Sequence, residues 1–302
     1  MIVAGLLSVI LSALFLPGII LRTKSIASGR KGPGIFQPYR DIAVLLKKDS
    51  VFSKTTGPLF RMAPAVSLAT VICASFFIPL SRYGALFSFD GDFIFFSYIL
   101  ASGKFFSIIA ALDTGSSFEG MGANREAFFS MLIEPAFFIL MSTFIMATGS
   151  TSFKEIYENF ILTGNHIVII FSIIGVLVLL QIALIETSRV PVDDPKTHLE
   201  LTMIHEVMIL DNCGFDKALI HISTYLKMAI YGLLIFNVTV PYNLGIIQQS
   251  AFLVLTQVLF AVTIGLVESF RARNKMNKNP KYILTVSAVA WIAFAIILIM
   301  TK

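Results

Sequence analysis

Residues 165–185 read NHIVIIFSIIGVLVLLQIALI, 21 positions without one Lys, Arg, Asp or Glu. An α-helix rises 1.5 Å per residue, so a run of about 20 apolar residues crosses the hydrocarbon of a bilayer. A barrel strand needs only about 10 residues with alternating character, and this run does not alternate. Seven further runs of the same kind flank it, at about 1–21, 62–80, 93–112, 127–148, 222–242, 250–270 and 281–300. The reading is an all-α, polytopic membrane bundle of about eight spans, one integral-membrane domain over 1–302. The first run is a retained helix rather than a cleaved leader. It has no basic start, and Arg22 and Lys24 follow it where a cleavage site would need small residues.

Composition agrees. Of the 302 residues 56% are hydrophobic and 14% charged, with mean hydropathy +0.84. Soluble domains hold about 25% charged residues, so this chain lacks the polar surface to cover a water-soluble globule, and it is too apolar to be disordered. The net charge of +5 does not indicate nucleic acid, because the basic residues lie in short loops between spans. Cys73 falls in an apolar run and Cys213 in a polar loop, which argues against a disulfide. Two thiols are also too few for an iron–sulfur cluster, which takes about four.

Loop charge sets the expected orientation. The loops 22–61, 113–126, 186–221 and 271–281 hold 9, 1, 3 and 5 Lys or Arg, whereas the opposite set holds Arg82, Lys154 and Lys302. The positive-inside rule places the basic loops in the cytoplasm and both termini outside. No repeat of 20–50 residues recurs.

The segment that follows residue 185 is the richest in chemistry. It runs Glu186-Thr187-Ser188-Arg189-Val190-Pro191-Val192-Asp193-Asp194-Pro195-Lys196-Thr197-His198-Leu199-Glu200-Leu201-Thr202-Met203-Ile204-His205-Glu206. Its five acids and two histidines form either a salt-bridged cap, with Glu186 and Arg189 paired at i,i+3, or a functional acidic cluster. His205-Glu206 begins a zinc-protease pattern, but Ile209 stands where the second histidine belongs. The first basic loop carries a Gly/Pro turn and then an amphipathic stretch. There Ile42, Leu45 and Leu46 share a face, and Arg40, Lys47 and Lys48 can meet lipid headgroups. Its glycines do not form a phosphate loop. The second basic loop, Asp113–Glu126, reads as a turn with helix caps, with Arg125 and Glu126 opening the next span.

Ionisable groups inside a span are costly and mark ion or proton paths by default. Glu134 lies about 12 Å into its span at helical rise, with Lys104 at nearly the same depth in the preceding one, so the two can pair on neighbouring helices. Lys227 enters its span less deeply, and Glu186 and Glu268 lie at span ends. Pro135 frees the carbonyl of Met131. These charges form either a pair that locks the bundle or the start of a proton path.

Four motifs occur in order: Gly32-Pro33-Gly34-x-Phe36-Gln37-Pro38-x-Arg40-Asp41, the Leu112–Glu126 run, Glu134-Pro135, and the run 186–206. Together they resemble the subunit 1 family of respiratory complex I. The likeness is greatest to its branch in group 4 membrane-bound [NiFe]-hydrogenases, to which subunit 4 of formate hydrogenlyase belongs. In complex I the third loop is similar to E-x-N-R-x-P-F-D-x-x-E. Here Glu186-Thr187-Ser188-Arg189-Val190-Pro191-Val192-Asp193, with His198-Leu199-Glu200-Leu201 and His205-Glu206, resembles the hydrogenase branch.

The resemblance implies a non-catalytic anchor that couples H₂ evolution to ion translocation. Its partners would be hydrogenase large and small subunits, an iron–sulfur subunit and antiporter-like membrane subunits. The [NiFe] and [4Fe-4S] centres would sit in those other subunits, with no cofactor or metal bound by this chain. The implied proton path is Glu134, Lys104, Glu186, Glu200, Glu206, Asp193 and Lys227. The implied redox-module interface is Arg40, Asp41, Asp113, Arg125, Glu126, Arg189, His198 and His205. Glu119 stands where the family pattern has glycine, which puts an extra charge at that interface. The alternative is a quinone-site-forming subunit 1 of a complex I type oxidoreductase, and a sulfane-sulfur-reducing complex is a related possibility.

Overall fold

The computed structural model describes residues 2–79, 84–162, 166–194, 202–241 and 244–300. All regular structure among them is helical: α1 (Ile2–Ala27), α2 (Gln37–Leu46), α3 (Pro58–Ser75), α4 (Asp92–Asp113), α5 (Ser117–Thr148), α6 (Phe153–Leu162), α7 (His166–Glu186), α8 (His205–Met208), α9 (Gly214–Thr239), α10 (Ile246–Phe270) and α11 (Asn279–Met300). Eight of these are long and apolar enough to cross a membrane: α1, α3, α4, α5, α7, α9, α10 and α11.

The centre of the bundle is α9. Its stretch Met228–Val238 is buried on every side, as expected of a helix with no polar face, and it packs against α1, α3, α7 and α10. Around it α3 lies along α4, α11 along α5 and α1 along α10. Lipid tails give apolar helices no hydrophobic drive to associate, so close fit and a few buried hydrogen bonds hold such a bundle. Gly232 on α9 shows the fit, because a Cβ there would overlap the amide of Gln257 on α10. That amide donates to the Ala229 carbonyl at 3.2 Å.

Both ends of the bundle are tied by polar contacts. At the end holding the basic loops, Asp113 accepts the Gly57 and Phe60 amides at 2.8 and 3.3 Å. It thereby caps α3 from the last residue of α4. At the opposite end, Asp92 accepts the Phe153 amide at 2.8 Å and the Ser152 hydroxyl at 3.0 Å, which fixes the start of α6.

Three loops hold more helix than the hydropathy pattern expects. The second basic loop is not a capped turn over its whole length. The chain turns at Gly115, whose φ is +69°, and is helical from Ser117. Hydropathy misses this turn-rich start because its small residues pack on protein rather than lipid: a Cβ at Gly122 would overlap Val207 of α8. For the same reason α9 starts at Gly214 rather than near 222. Loop 149–164 contains α6, whose Phe153, Ile156 and Tyr157 are buried. In α2 the inward face holds Ile42 and Leu45, whereas Leu46 is 42% exposed and leaves the face assigned to it.

Candidate functional site

Four helices each deliver one charge to a single point inside the bundle. Lys104 on α4 sits 2.7 Å from Glu186 Oε1, at the end of α7, and 3.3 Å from Glu126 Oε1 on α5. Lys227 on α9 reaches Glu186 Oε2 at 3.5 Å. Two ammonium groups and two carboxylates, all with side chains no more than 14% exposed, therefore neutralise one another. Buried charges persist only when paired in this way.

This arrangement corrects two pairings expected from the sequence. Lys104 pairs with Glu126 and Glu186, not Glu134, because α5 begins ten residues earlier than its apolar run. Lys104 is nine residues from the end of α4 and Glu126 nine from the start of α5, so those two share a level. Glu134 lies 17 residues into α5, about 25 Å along it at 1.5 Å per residue. The second correction concerns Glu186 and Arg189, which do not pair at i,i+3. The helix stops at Glu186, and Ser188 takes a φ of +53°. Arg189 then meets Glu268 of α10 at 3.0 Å, and Glu268 also holds Lys24 of α1 at 2.8 Å.

Two cavities meet at the cluster. The larger, about 830 Å³ with its open mouth, lies among α3, α4, α8 and α9, and Glu126, Glu186, Lys104, Lys227 and His205 line it. The second, about 450 Å³, runs between α4 and α5 and holds Lys104, Glu186, Glu134 and Tyr231. Glu134 is exposed on the flank of the bundle. Among the described residues it has no ion pair or hydrogen bond.

The loop after Glu186 is fastened on both sides. Asp193 accepts the His205 amide at 3.0 Å and pairs with Arg273 at 2.9 Å. Arg273 also donates to the carbonyl and hydroxyl of Thr202, and Arg125 donates to the Met203 carbonyl at 3.0 Å. Glu206 pairs with Lys217 at 3.7 Å. Of the remaining site residues read from the sequence, Arg40 and Asp41 are exposed on α2, apart from the four-charge cluster, and Asp41 accepts from Gln37 at 2.8 Å. His198 and Glu200 lie outside the described residues. Glu119 adds no surface charge. It is fully buried in the first turn of α5 and accepts the Asp211 amide at 3.0 Å.

Lys24, Arg273 and Tyr231 are not among the site residues read from the sequence. The first two read as ordinary loop charge, and a tyrosine within an apolar run gives no signal of what it faces. Both cysteines are free thiols. Among the described residues no three His, Cys, Asp or Glu gather to hold a metal ion.

Eight apolar helices around a buried charge cluster define a multi-pass helical membrane protein. The chain belongs to the NADH dehydrogenase family, whose profile matches residues 1–300. It is 28% identical over 293 residues to formate hydrogenlyase subunit 4 of Escherichia coli (strain K12), covering 94% of this chain and 93% of that protein. Hydrogenase-4 component C of the same organism is 27% identical over 286 residues, covering 92% and 87%. A chain in the structure of the membrane-bound sulfane sulfur reductase, an archaeal respiratory membrane complex, superposes with a TM-score of 0.77. That superposition covers 99% of this chain and 98% of the other at 17% identity, a likeness of fold. The family read from the loop motifs is thus the family found.

Proposed function

We propose that this chain is the membrane-anchor and proton-path subunit of a group 4 membrane-bound [NiFe]-hydrogenase complex in the cell membrane. One observation carries the reading: Lys104 and Glu186 form the shared wall of two cavities, one opening among the loop-end residues and the other reaching Glu134 on the flank. The near full-length likeness to two hydrogenase subunits supports it.

In this reading the basic loops face the cytoplasm and both termini lie outside, following the excess of Lys and Arg. Hydrogenase large and small subunits and the iron–sulfur subunit, which carry the [NiFe] and [4Fe-4S] centres, dock on the platform built by Asp113, Arg125, Arg189, Asp193 and His205. A charge change there pulls on the loop that begins directly after Glu186. That loop is tied to α1 and α10 through Arg189, Glu268 and Lys24. The shift weakens the Lys104–Glu186 pairing, and a proton moves through Glu186 toward Glu134. An unpaired carboxylate on an apolar flank is too costly to leave in lipid, so this flank faces an antiporter-like membrane subunit that takes the proton onward.

The test is Glu134→Gln in the intact complex, reconstituted in sealed vesicles. H₂ evolution from reduced dye stays near wild type while acidification is lost. Unchanged acidification contradicts the path.

The second reading, a quinone-site subunit of a complex I type oxidoreductase, takes the larger cavity as a ligand site, because Phe60, Leu100 and Ile220 line it beside the charged cluster. Quinone reduction sensitive to quinone analogues, without H₂ evolution, would establish that reading instead.

A further inference from the structure

The proton path proposed above has a gap. Both carboxylate oxygens of Glu186 are engaged, by Lys104 and Lys227, and no contact joins Glu186 to Glu134. Between them lies the 450 Å³ crevice, walled chiefly by Phe96, Leu100, Ile133, Phe137 and Ile182. Apolar walls do not order water, which needs two to four polar partners. Lys104 is a poor bridge, because it would have to give up its proton while held between two carboxylates. Ser97 also lines the crevice, but its hydroxyl proton is committed to the Phe93 carbonyl at 2.9 Å.

The remaining polar group is Tyr231. It sits in the wholly buried stretch of α9, is 4% exposed, and its side chain lines the crevice. It shares the lining of that crevice with both Glu186 and Glu134. Among the described residues its hydroxyl has no hydrogen-bond partner. Phenylalanine would pack as well in an apolar helix, and a hydroxyl set beside apolar walls gains nothing from them, so the oxygen at this position needs a reason.

Resting on the proton-path reading, we propose that the Tyr231 hydroxyl is the relay that joins Glu186 to Glu134. In each transfer Oη accepts a proton from the Glu186 side, forming one O–H bond. It releases the proton it carried to the Glu134 carboxylate, breaking the other. The phenol ends neutral, as it began, and resets by rotating its O–H. No oxidant or co-reactant is needed, and no new charge is created on the aromatic ring. Tyr231 is a positioning and relay residue; the redox chemistry lies elsewhere.

Tyr231→Phe keeps the ring and removes only this oxygen. It is compared with Glu134→Gln in the intact complex in sealed vesicles, with assembly checked on native gels. The expected result is full assembly and dye-linked turnover, but loss of most of the protons moved per electron pair, since a proton-transfer group contributes about 10²–10⁴-fold to the rate of its step. Tyr231→His, which can pass a proton, restores part of the loss; a merely structural role would not show this rescue. Wild-type coupling in Tyr231→Phe with loss in Glu134→Gln overturns the relay and leaves the path standing. Loss in Tyr231→Phe with wild-type coupling in Glu134→Gln overturns it too, by placing the hydroxyl on another route. Wild-type coupling in both removes the path itself.

Discussion

At the residue scale the decisive group is Lys104, whose ammonium holds two carboxylates that belong to different helices. Replacing it with methionine leaves Glu126 without a cation and Glu186 with Lys227 alone. Breaking a buried pair by deleting one partner costs about 3–5 kcal/mol, because a charge is left uncompensated. Lys104→Met is therefore expected to lower the thermal inactivation midpoint of the purified complex. Adding Glu126→Gln recovers part of that loss, because it removes the orphaned charge. A double variant no more stable than Lys104→Met would refute the pairing. The sequence shows that Lys104 lies within a span and needs a partner, but not which partner. The wrong choice, Glu134, follows from locating the start of α5 by hydropathy: ten helical residues that include two glycines and three charges precede its apolar run. Glu119 and Gly122 within that stretch face α8 and its flanking loop rather than lipid or water, and no property of single residues announces this.

Elements tell the same story with a different emphasis. The eight spans were legible because a bilayer demands about 20 apolar residues from each, and their centres all hold. The short helices were less so: α2 shows its amphipathic stretch, whereas α6 hides in a loop because its capping group, Asp92, is 60 residues away in sequence. Tertiary capping recurs at α3, where Asp113 reaches across from α4 to the Gly57 and Phe60 amides. A carboxylate at this position satisfies orphan N–H groups and is worth about 1 kcal/mol. Asp113→Ala is expected to destabilise the protein by about that amount, and Asp113→Asn by less, as read from thermal unfolding in detergent. Equal losses in the two variants would mean that the charge, and not the cap, is what counts. Asp113 thus stabilises the surface assigned to docking, apart from any contact it makes with a partner.

Across the whole molecule, the described charges concentrate at one end and reach inward at the four-charge cluster of Lys104, Glu126, Glu186 and Lys227. The loop Thr187–Asp194 links the two, since it follows Glu186 directly and is pinned by Arg189 to Glu268 and by Asp193 to Arg273. Its sequence motif is readable, and so is the family it signals. The partners of its residues are not, because Lys24, Glu268 and Arg273 come from segments far away in the chain. The most direct measurement is made on the intact complex purified in mild detergent: nickel content together with H₂ evolution from a reduced viologen. The account predicts nickel and H₂ evolution in the same particle that contains this chain. A particle without nickel that reduces quinone, inhibited by quinone analogues, would contradict it and assign the same carboxylates to a quinone chamber.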